Sequence, residues 1–476
     1  MKSVLRNAVR MTVVASLALA GCTVGPDYHA PAPTLPAQWA SRNMVRAATT
    51  QPSVPTTQPA HVARWWQAFD DPTLTALEDQ AAQGNLSVLQ AESRLRQARA
   101  ARAVAASGFW PSVNANGSYT RSRTPGLVRA NTSNFFQAGL DAAWELDIFG
   151  GTRRNIEAAE AGIQAAVEDR RDVLVSLAAE VAVDYVDLRA LQQRLAIARG
   201  NLASQESTVA LTQQQFKAGL VSALDVANAQ AQVASTQAQI PGLEAQARQT
   251  IYALSVLLGD EPGTLTQQLS TTQPIPLTPP VVPVGLPSEL LLRRPDIRRA
   301  EAQLHAATAQ IGVATADLFP KFSLTGSLGL QSSELASFLN AGSRAWSFGP
   351  SATWNIFSAG AIQANIAVQK ALAQQAGLTY RQTVLTALQD VDSALAAYGK
   401  EQERRQALTE AVAANRRAVD LALLLYRHGQ TDFLNVLSAQ SQLFSTEDAL
   451  AQSNQTVATD LVALYKALGG GWEEGE

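Results

Sequence analysis

"FKAGLVSALDVANAQAQVAST" (216–236) and "YRHGQTDFLNVLSAQSQLFST" (426–446) are two versions of one stretch. Gly219 pairs with Gly429, Leu224 with Leu434 and Val226 with Val436, and Ala229, Gln230, Gln232, Ser235 and Thr236 recur as Ala439, Gln440, Gln442, Ser445 and Thr446. Farther out, at an offset one residue shorter, Ala91, Glu92, Leu95, Ala98, Ala105 and Pro111 meet Ala300, Glu301, Leu304, Ala307, Ala314 and Pro320. Matches spread over most of each half predict duplication of a whole structural unit. Each copy reads as helix, two strands, very long helix, turn, helix.

The long helices carry the clearest periodicity. Val167, Leu174, Val181, Leu188, Leu195, Leu202, Val209 and Phe216 fall at intervals of seven, as do Val384, Val391, Tyr398, Val412, Val419 and Tyr426 with Arg405 interrupting; apolar residues at that spacing make a coiled-coil seam. A helix from Gly151 to Lys217 would be roughly 100 Å long at 1.5 Å per residue, and the second copy repeats it from Ser358 to Arg427. Gly219 and Gly429 then supply the hairpin turns into the returning helices, and Pro241 is expected to kink the first of these.

Four strands lie between the helices: Pro111 to Arg121, Phe135 to Phe149, Pro320 to Gln331 and Ala345 to Phe357. Each is long enough to cross a bilayer when tilted. Phe136, Ala138, Leu140, Ala142, Trp144 and Leu146 alternate with other residues, as do Phe322, Leu324, Leu328 and Leu330, and aromatic residues cluster near strand ends. That pattern fits a membrane β-strand, with two ordinary hairpins on a soluble domain as the other reading. Four strands leave two open edges, which hydrocarbon does not tolerate, so strands that span a membrane require the chain to oligomerise. Two copies would give eight strands and a filled interior, three would give twelve and a wider lumen.

The amino terminus reads as an address. Lys2, Arg6 and Arg10 precede an apolar run, Met11 to Ala20, too short to span a bilayer, which is the order of a secretory signal peptide over residues 1–21. Leu19-Ala20-Gly21-Cys22 resembles the bacterial lipobox, making Cys22, the single cysteine of the chain, an acylated anchor. The next residue is Thr23, not the aspartate that retains many such lipoproteins in the inner membrane, so the expected destination is the outer membrane. An extended, lipid-anchored segment is expected over 22–63, a first repeat over 64–260, a Pro-rich linker over 261–288, a second repeat over 289–468 and a tail over 469–476.

Of the 476 residues 16% are charged and the formal net charge is −3, so nothing attracts nucleic acid. His29, His61, His305 and His428 lack metal-ligand spacing, and no GxSxG elbow, P-loop or HExxH occurs. No catalytic residue, cofactor or metal site is expected.

Several stretches together resemble the TolC-like outer-membrane efflux factors, in their OprM and NodT type lipoprotein branch. They are "CTVGPDY", "RWWQAFDDPTLTALEDQA" from Arg64, "YALSVLLGDEPG" from Tyr252, "LLRRPDIRRAEAQLHAATAQIGVATADLFPKFSLTGSLG" from Leu291, and the paired "FKAGL" and "YRHGQ" turns. The resemblance implies a mainly α chain with a small membrane β part. It implies a homotrimer with a 12-stranded barrel in the outer membrane and a periplasmic α-barrel, joined to a periplasmic adaptor and an inner-membrane RND-type pump. It also implies a gate at the hairpin ends. Asp225 falls on the carboxylate position of the first hairpin, Tyr426 on the gate tyrosine of the second, and Arg427 lies beside it; Asn435 and Ser438 stand where some relatives carry acids. For Asp225, capping the returning helix remains a second reading. The resulting function is an exit duct for small toxic compounds, with a passive diffusion porin and a structural envelope lipoprotein as alternatives.

Overall fold

The computed structural model describes residues 23–33, 35–41, 54–56, 63–125, 131–276, 278, 281–283 and 287–473; the expected signal segment and Cys22 lie outside them. The principal elements are α1 (Pro72–Gly84), α2 (Leu86–Ser107), β1 (Ser112–Thr124), β2 (Asn131–Leu146), α3 (Gly151–Lys217) and α4 (Ala223–Leu257), then α5 (Pro295–Ala316), β3 (Lys321–Ser332), β4 (Arg344–Thr353), α6 (Ala361–Arg427) and α7 (Phe433–Ala467). α2 and α5 each have 22 residues, α3 and α6 each 67, and α4 and α7 each 35. Among the described residues no helix is long and apolar enough to cross a membrane. Two compact units divide the chain, one from the described parts of 1–32, 94–167 and 299–381, the other from 33–93, 168–298 and 382–476.

The first unit holds a four-stranded antiparallel sheet in the order β1-β2-β3-β4. Strand alternation does not run on to Phe149 as the sequence suggests, because β2 stops at Leu146. Asp147 is diverted to the start of α3, where its carboxylate accepts the backbone N–H groups of Thr152 at 3.0 Å and Arg153 at 2.9 Å. These are amides that the helix itself leaves unpaired, and a carboxylate there also meets the positive end of the helix dipole. β4 likewise stops at Thr353, short of Phe357. The following indole, Trp354 Nε1, donates to the Leu318 carbonyl at 3.0 Å, as Trp144 Nε1 donates to the Phe109 carbonyl at 2.8 Å. At its other end β2 begins at Asn131 rather than Phe135, the polar run pairing through its backbone down to Thr124↔Asn131.

In the second unit α1 starts at Pro72, behind Asp71, whose carboxylate accepts from the Thr73 and Leu74 amides at 2.8 and 3.0 Å; proline fits there because its missing N–H would be unpaired anyway. Leu74, Leu77 and Ala81 of α1 are buried, Trp65 stacks on Tyr465 at 5.2 Å, and the Tyr185 hydroxyl donates to Asp71 at 2.8 Å. The "RRPD" run acquires a structural role. Arg294 binds Asp296 at 2.7 Å, Asp390 of α6 at 3.1 Å and the Ala467 carbonyl of α7 at 3.0 Å. Such a fork of donors ties several elements at one point.

The α6 seam is buried at all six expected positions, Val384 through Tyr426. α3 differs: Leu174, Val181 and Leu188 are buried, but Leu195, Leu202 and Val209 are half-buried and Phe216 is exposed. The buried positions in this stretch are Ala198, Gln205, Thr208 and Thr212, a polar stripe that apolar periodicity alone does not reveal. Pro241 sits inside α4 without ending it; lacking an N–H, it leaves the carbonyl four residues earlier without its helical donor.

Candidate functional site: a two-faced sheet and two hairpin ends

Residues that pair across an antiparallel ladder share a face, so register sorts the sheet. One face carries the rows Val113–Ala142–Gly326–Phe348, Ala115–Leu140–Leu328–Trp346 and Trp144–Leu324–Pro350. The other carries Asn114–Asp141–Ser327–Ser347, Asn116–Gly139–Gly329–Ala345 and Glu145–Ser323–Ser351. Hydroxyls on the polar face bond across strands, Ser323 with Ser351 and Ser327 with Ser347, both at 2.8 Å, and the Asn116 amide donates to Asp141. The apolar face is uncovered: Leu328 is 63% exposed, Trp346 76% and Phe348 73%. A continuous apolar surface of this kind marks contact with a membrane or a partner. Gly139 and Gly329 pair across β2 and β3, where a Cβ on Gly329 would lie 2.5 Å from the Ala138 carbonyl oxygen. Only glycine permits so close a backbone approach.

At the helical hairpins the two turns share a backbone solution. Gly219 has φ +73° and Gly429 φ +68°, and the residue after each donates its N–H back to the carbonyl five positions earlier, Leu220 to Gln215 and Gln430 to Leu425, both at 2.9 Å. This is the glycine-terminated helix end, which requires the left-handed backbone. The caps that follow differ. In the first hairpin the Asp225 carboxylate accepts from the Ser222 amide at 2.9 Å and the Ser222 hydroxyl at 2.8 Å, while the Asp225 amide donates to Ser222 Oγ at 3.3 Å, a reciprocal capping box. In the second, Asp432 occupies the N-cap with no side-chain capping bond.

Tyr426 is buried with Ala229, Phe433 and Val436, its ring centroid 5.7 Å from that of Phe433. Its hydroxyl donates to Thr212 Oγ1 at 3.4 Å, and the Gln440 amide donates to Thr208 at 3.0 Å. Burial raises the Tyr426 hydroxyl pKa above its ordinary value; the hydrogen bond to Thr212 opposes the rise and the charge of Asp225 adds to it. The carboxylate of Asp225 is engaged with Ser222, and Arg427 is exposed and makes no ion pair with a described residue. Cys22 lies outside the described residues.

The segment just after Cys22 belongs to a cluster whose partners the sequence did not disclose. The Val24 N–H donates to the Phe149 carbonyl at 3.1 Å, and Arg154 binds Asp27 at 2.6 Å, Glu157 at 2.8 Å and the Val24 carbonyl at 3.2 Å. Tyr28 stacks on His305 at 4.2 Å and donates to Glu301 at 3.2 Å, and His305 meets Glu157 at 3.0 Å. A Cβ on Gly25, which has φ +94°, would fall 2.4 Å from the Gly312 Cα. The sequence marked this stretch only as extended and as part of a family resemblance, with no sign of these partners.

These features have counterparts in known proteins. The outer-membrane channel OprN has 40% sequence identity, covers 95% of this chain and 100% of its own, and superposes with a TM-score of 0.87. Nodulation protein T of Rhizobium leguminosarum bv. trifolii is 34% identical over 96% of both chains, and the solvent efflux pump outer membrane protein SrpC of Pseudomonas putida is 34% identical over 97% of this chain and 98% of its own. The class defined by fold and sheet is therefore that of the TolC-like outer-membrane channels. The outer membrane efflux protein family matches residues 77–260 and 286–470, and the chain belongs to it. Its location is the outer membrane and its work is efflux.

Proposed function

We propose that three copies of this chain close a 12-stranded barrel through the outer membrane and continue it as a periplasmic α-barrel of paired long helices. The duct passively conducts small toxic compounds delivered by an inner-membrane RND-type pump through a periplasmic adaptor, with no catalytic step of its own. The observation that carries this reading is the sheet, with uncovered apolar residues on one face, hydroxyls and carboxylates on the other, and unpaired edges at β1 and β4. Open edges are not stable in hydrocarbon, and pairing β4 of one protomer with β1 of the next removes them. The equal lengths of α2 and α5, α3 and α6, and α4 and α7 support a duplicated unit on either side of the 261–288 linker.

Acylated Cys22 anchors the chain in the periplasmic leaflet. The hairpin ends form the gate: Asp225, Tyr426 and Arg427 recur three times around the axis, and adaptor binding shifts a population from closed to open. Cells lacking the gene should accumulate more of a panel of toxic dyes, antibiotics and metal ions and show greater sensitivity to them. Lower accumulation in the deletion would mean an inward diffusion pore, and unchanged accumulation with no conductance after reconstitution would mean a structural lipoprotein. Metabolic palmitate labelling should vanish in Cys22→Ser, and persistent labelling would reject the anchor.

A further inference from the structure

Followed along β1 toward the turn into β2, the apolar face ends in cations. Tyr119 lies on it, and two and four residues further on so do Arg121 and Arg123, whose ladder partners are the uncharged Asn134 and Thr132. β4 enters from its own turn with Arg344, paired with Leu330 and so on the same face. All three arginines are exposed, and none makes an ion pair with a described residue. The acids of the strands, Asp141 and Glu145, lie on the opposite face. Just inside the arginines, Tyr119 stacks on Phe136 at 4.7 Å. At the helix end the apolar-face strand positions, from Val113 to Trp144 and Ala352, hold no cation.

We propose that Arg121, Arg123 and Arg344 form a cationic rim that binds phosphate groups of the lipid in the outer leaflet of the outer membrane. The proposal rests on the reading that these strands span that membrane with their turns outside. A guanidinium at the edge of an apolar band extends to headgroup depth rather than entering hydrocarbon, and its planar fork matches phosphate oxygens in pairs. Aromatic residues immediately below mark the interface. In one chain Arg344 and the other two lie on opposite edge strands. Where β4 of one protomer pairs with β1 of the next, they converge on one seam, so the complete site requires two protomers and occurs three times. Segregation to the turn end makes the rim selective for one leaflet.

The test uses the full-length assembled protein in nanodiscs and two probes, lipid A carrying both phosphates and the same lipid with both removed. The phosphorylated form should bind about a hundredfold more tightly, taking about 1 kcal/mol for each of three arginines. The triple variant Arg121→Gln, Arg123→Gln, Arg344→Gln should lose that preference, and the three arginine-to-lysine changes should restore part of it. Equal binding of the two lipids, or an unchanged preference in the triple variant, overturns the rim. Displacement of the lipid by inorganic phosphate would identify a free-phosphate site and overturn the lipid assignment. Quenching of Trp346 by lipids brominated along the acyl chain, read against Trp346→Phe, checks the spanning reading separately. Quenching without phosphate preference removes the rim alone; no quenching removes both.

Discussion

In the sheet, Leu140, Leu328 and Trp346 stand side by side on an uncovered face, whereas at the hairpin ends Thr208, Thr212, Gln440 and Tyr426 are enclosed between helices. One region turns its apolar groups out and the other folds polar groups in. The sheet is stable only where its surroundings are apolar and its edges are paired. The hairpin ends are held by hydrogen bonds, each worth only about 1 kcal/mol net, and by one aromatic cluster. In the proposed duct the first arrangement suits a wall in hydrocarbon, and the second suits a contact that opens and closes.

The contrast breaks most readily at Leu328. Leu328→Arg puts a charge in the middle of the apolar face, at a cost of about 2–4 kcal/mol per chain at bilayer mid-depth, and should abolish heat-resistant trimer in outer-membrane fractions. Ser327→Arg, one residue away on the polar face, should assemble normally; equal loss in both would refute the two-faced reading.

At the hairpins, Tyr426→Ala should destabilise the end by about 3 kcal/mol through the lost ring and raise single-channel conductance. Tyr426→Phe, which removes only the bond to Thr212, should cost about 0.5–1 kcal/mol, and combining it with Asp225→Ala should raise conductance while the trimer persists. Unchanged closed-state current in the double variant would take both residues out of the gate.

Gly329→Val should part β2 from β3 at a cost of about 1–3 kcal/mol, visible as faster amide exchange confined to those strands. Uniform exchange would mean that the sheet tolerates the side chain.

The smallest effect concerns polar groups inside the helices. Asp184 and Asp460 have pKa values raised from 3.8 to about 6, first by burial and then by neighbouring acids, Asp187 and Glu180 for one and Glu401 for the other. A carboxyl whose folded pKa is raised costs nothing while it is protonated in both states; stability falls as pH rises from 3.8 to about 6, and the full penalty is present above that. Asp184→Asn or Asp460→Asn should therefore raise Tm by a few degrees above pH 6 and lose the advantage as pH falls toward 3.8. A gain independent of pH would point to packing instead.

The two regions also differed in how far their sequence could be read. α3 was legible to both termini, since its apolar period is long, a glycine pair stands at its start and Gly219 follows its end. The faces of β2 and β3 followed from alternation, and so did the ends of β3 to within one residue, but the ends of β2 did not. Asp147 terminates β2 by serving the next helix, and the Asn131–Asn134 stretch joins the ladder through backbone groups that have no apolar signature. Tyr426 was visible as the last position of a seam, but the partner of its hydroxyl, Thr212, lies on the other hairpin, 214 residues earlier. Long-range polar contacts of this kind leave no period to find.

The cluster around Arg154 sets an order of events. Tyr28 rests on Glu301 and His305, the first of them 273 residues later in the chain, and Gly25 rests on Gly312. Gly25 and Tyr28 precede Glu301, His305 and Gly312 by 273 residues or more, so part of their seat comes from a helix made long after them. Residues made early thus wait for partners made much later before they can dock.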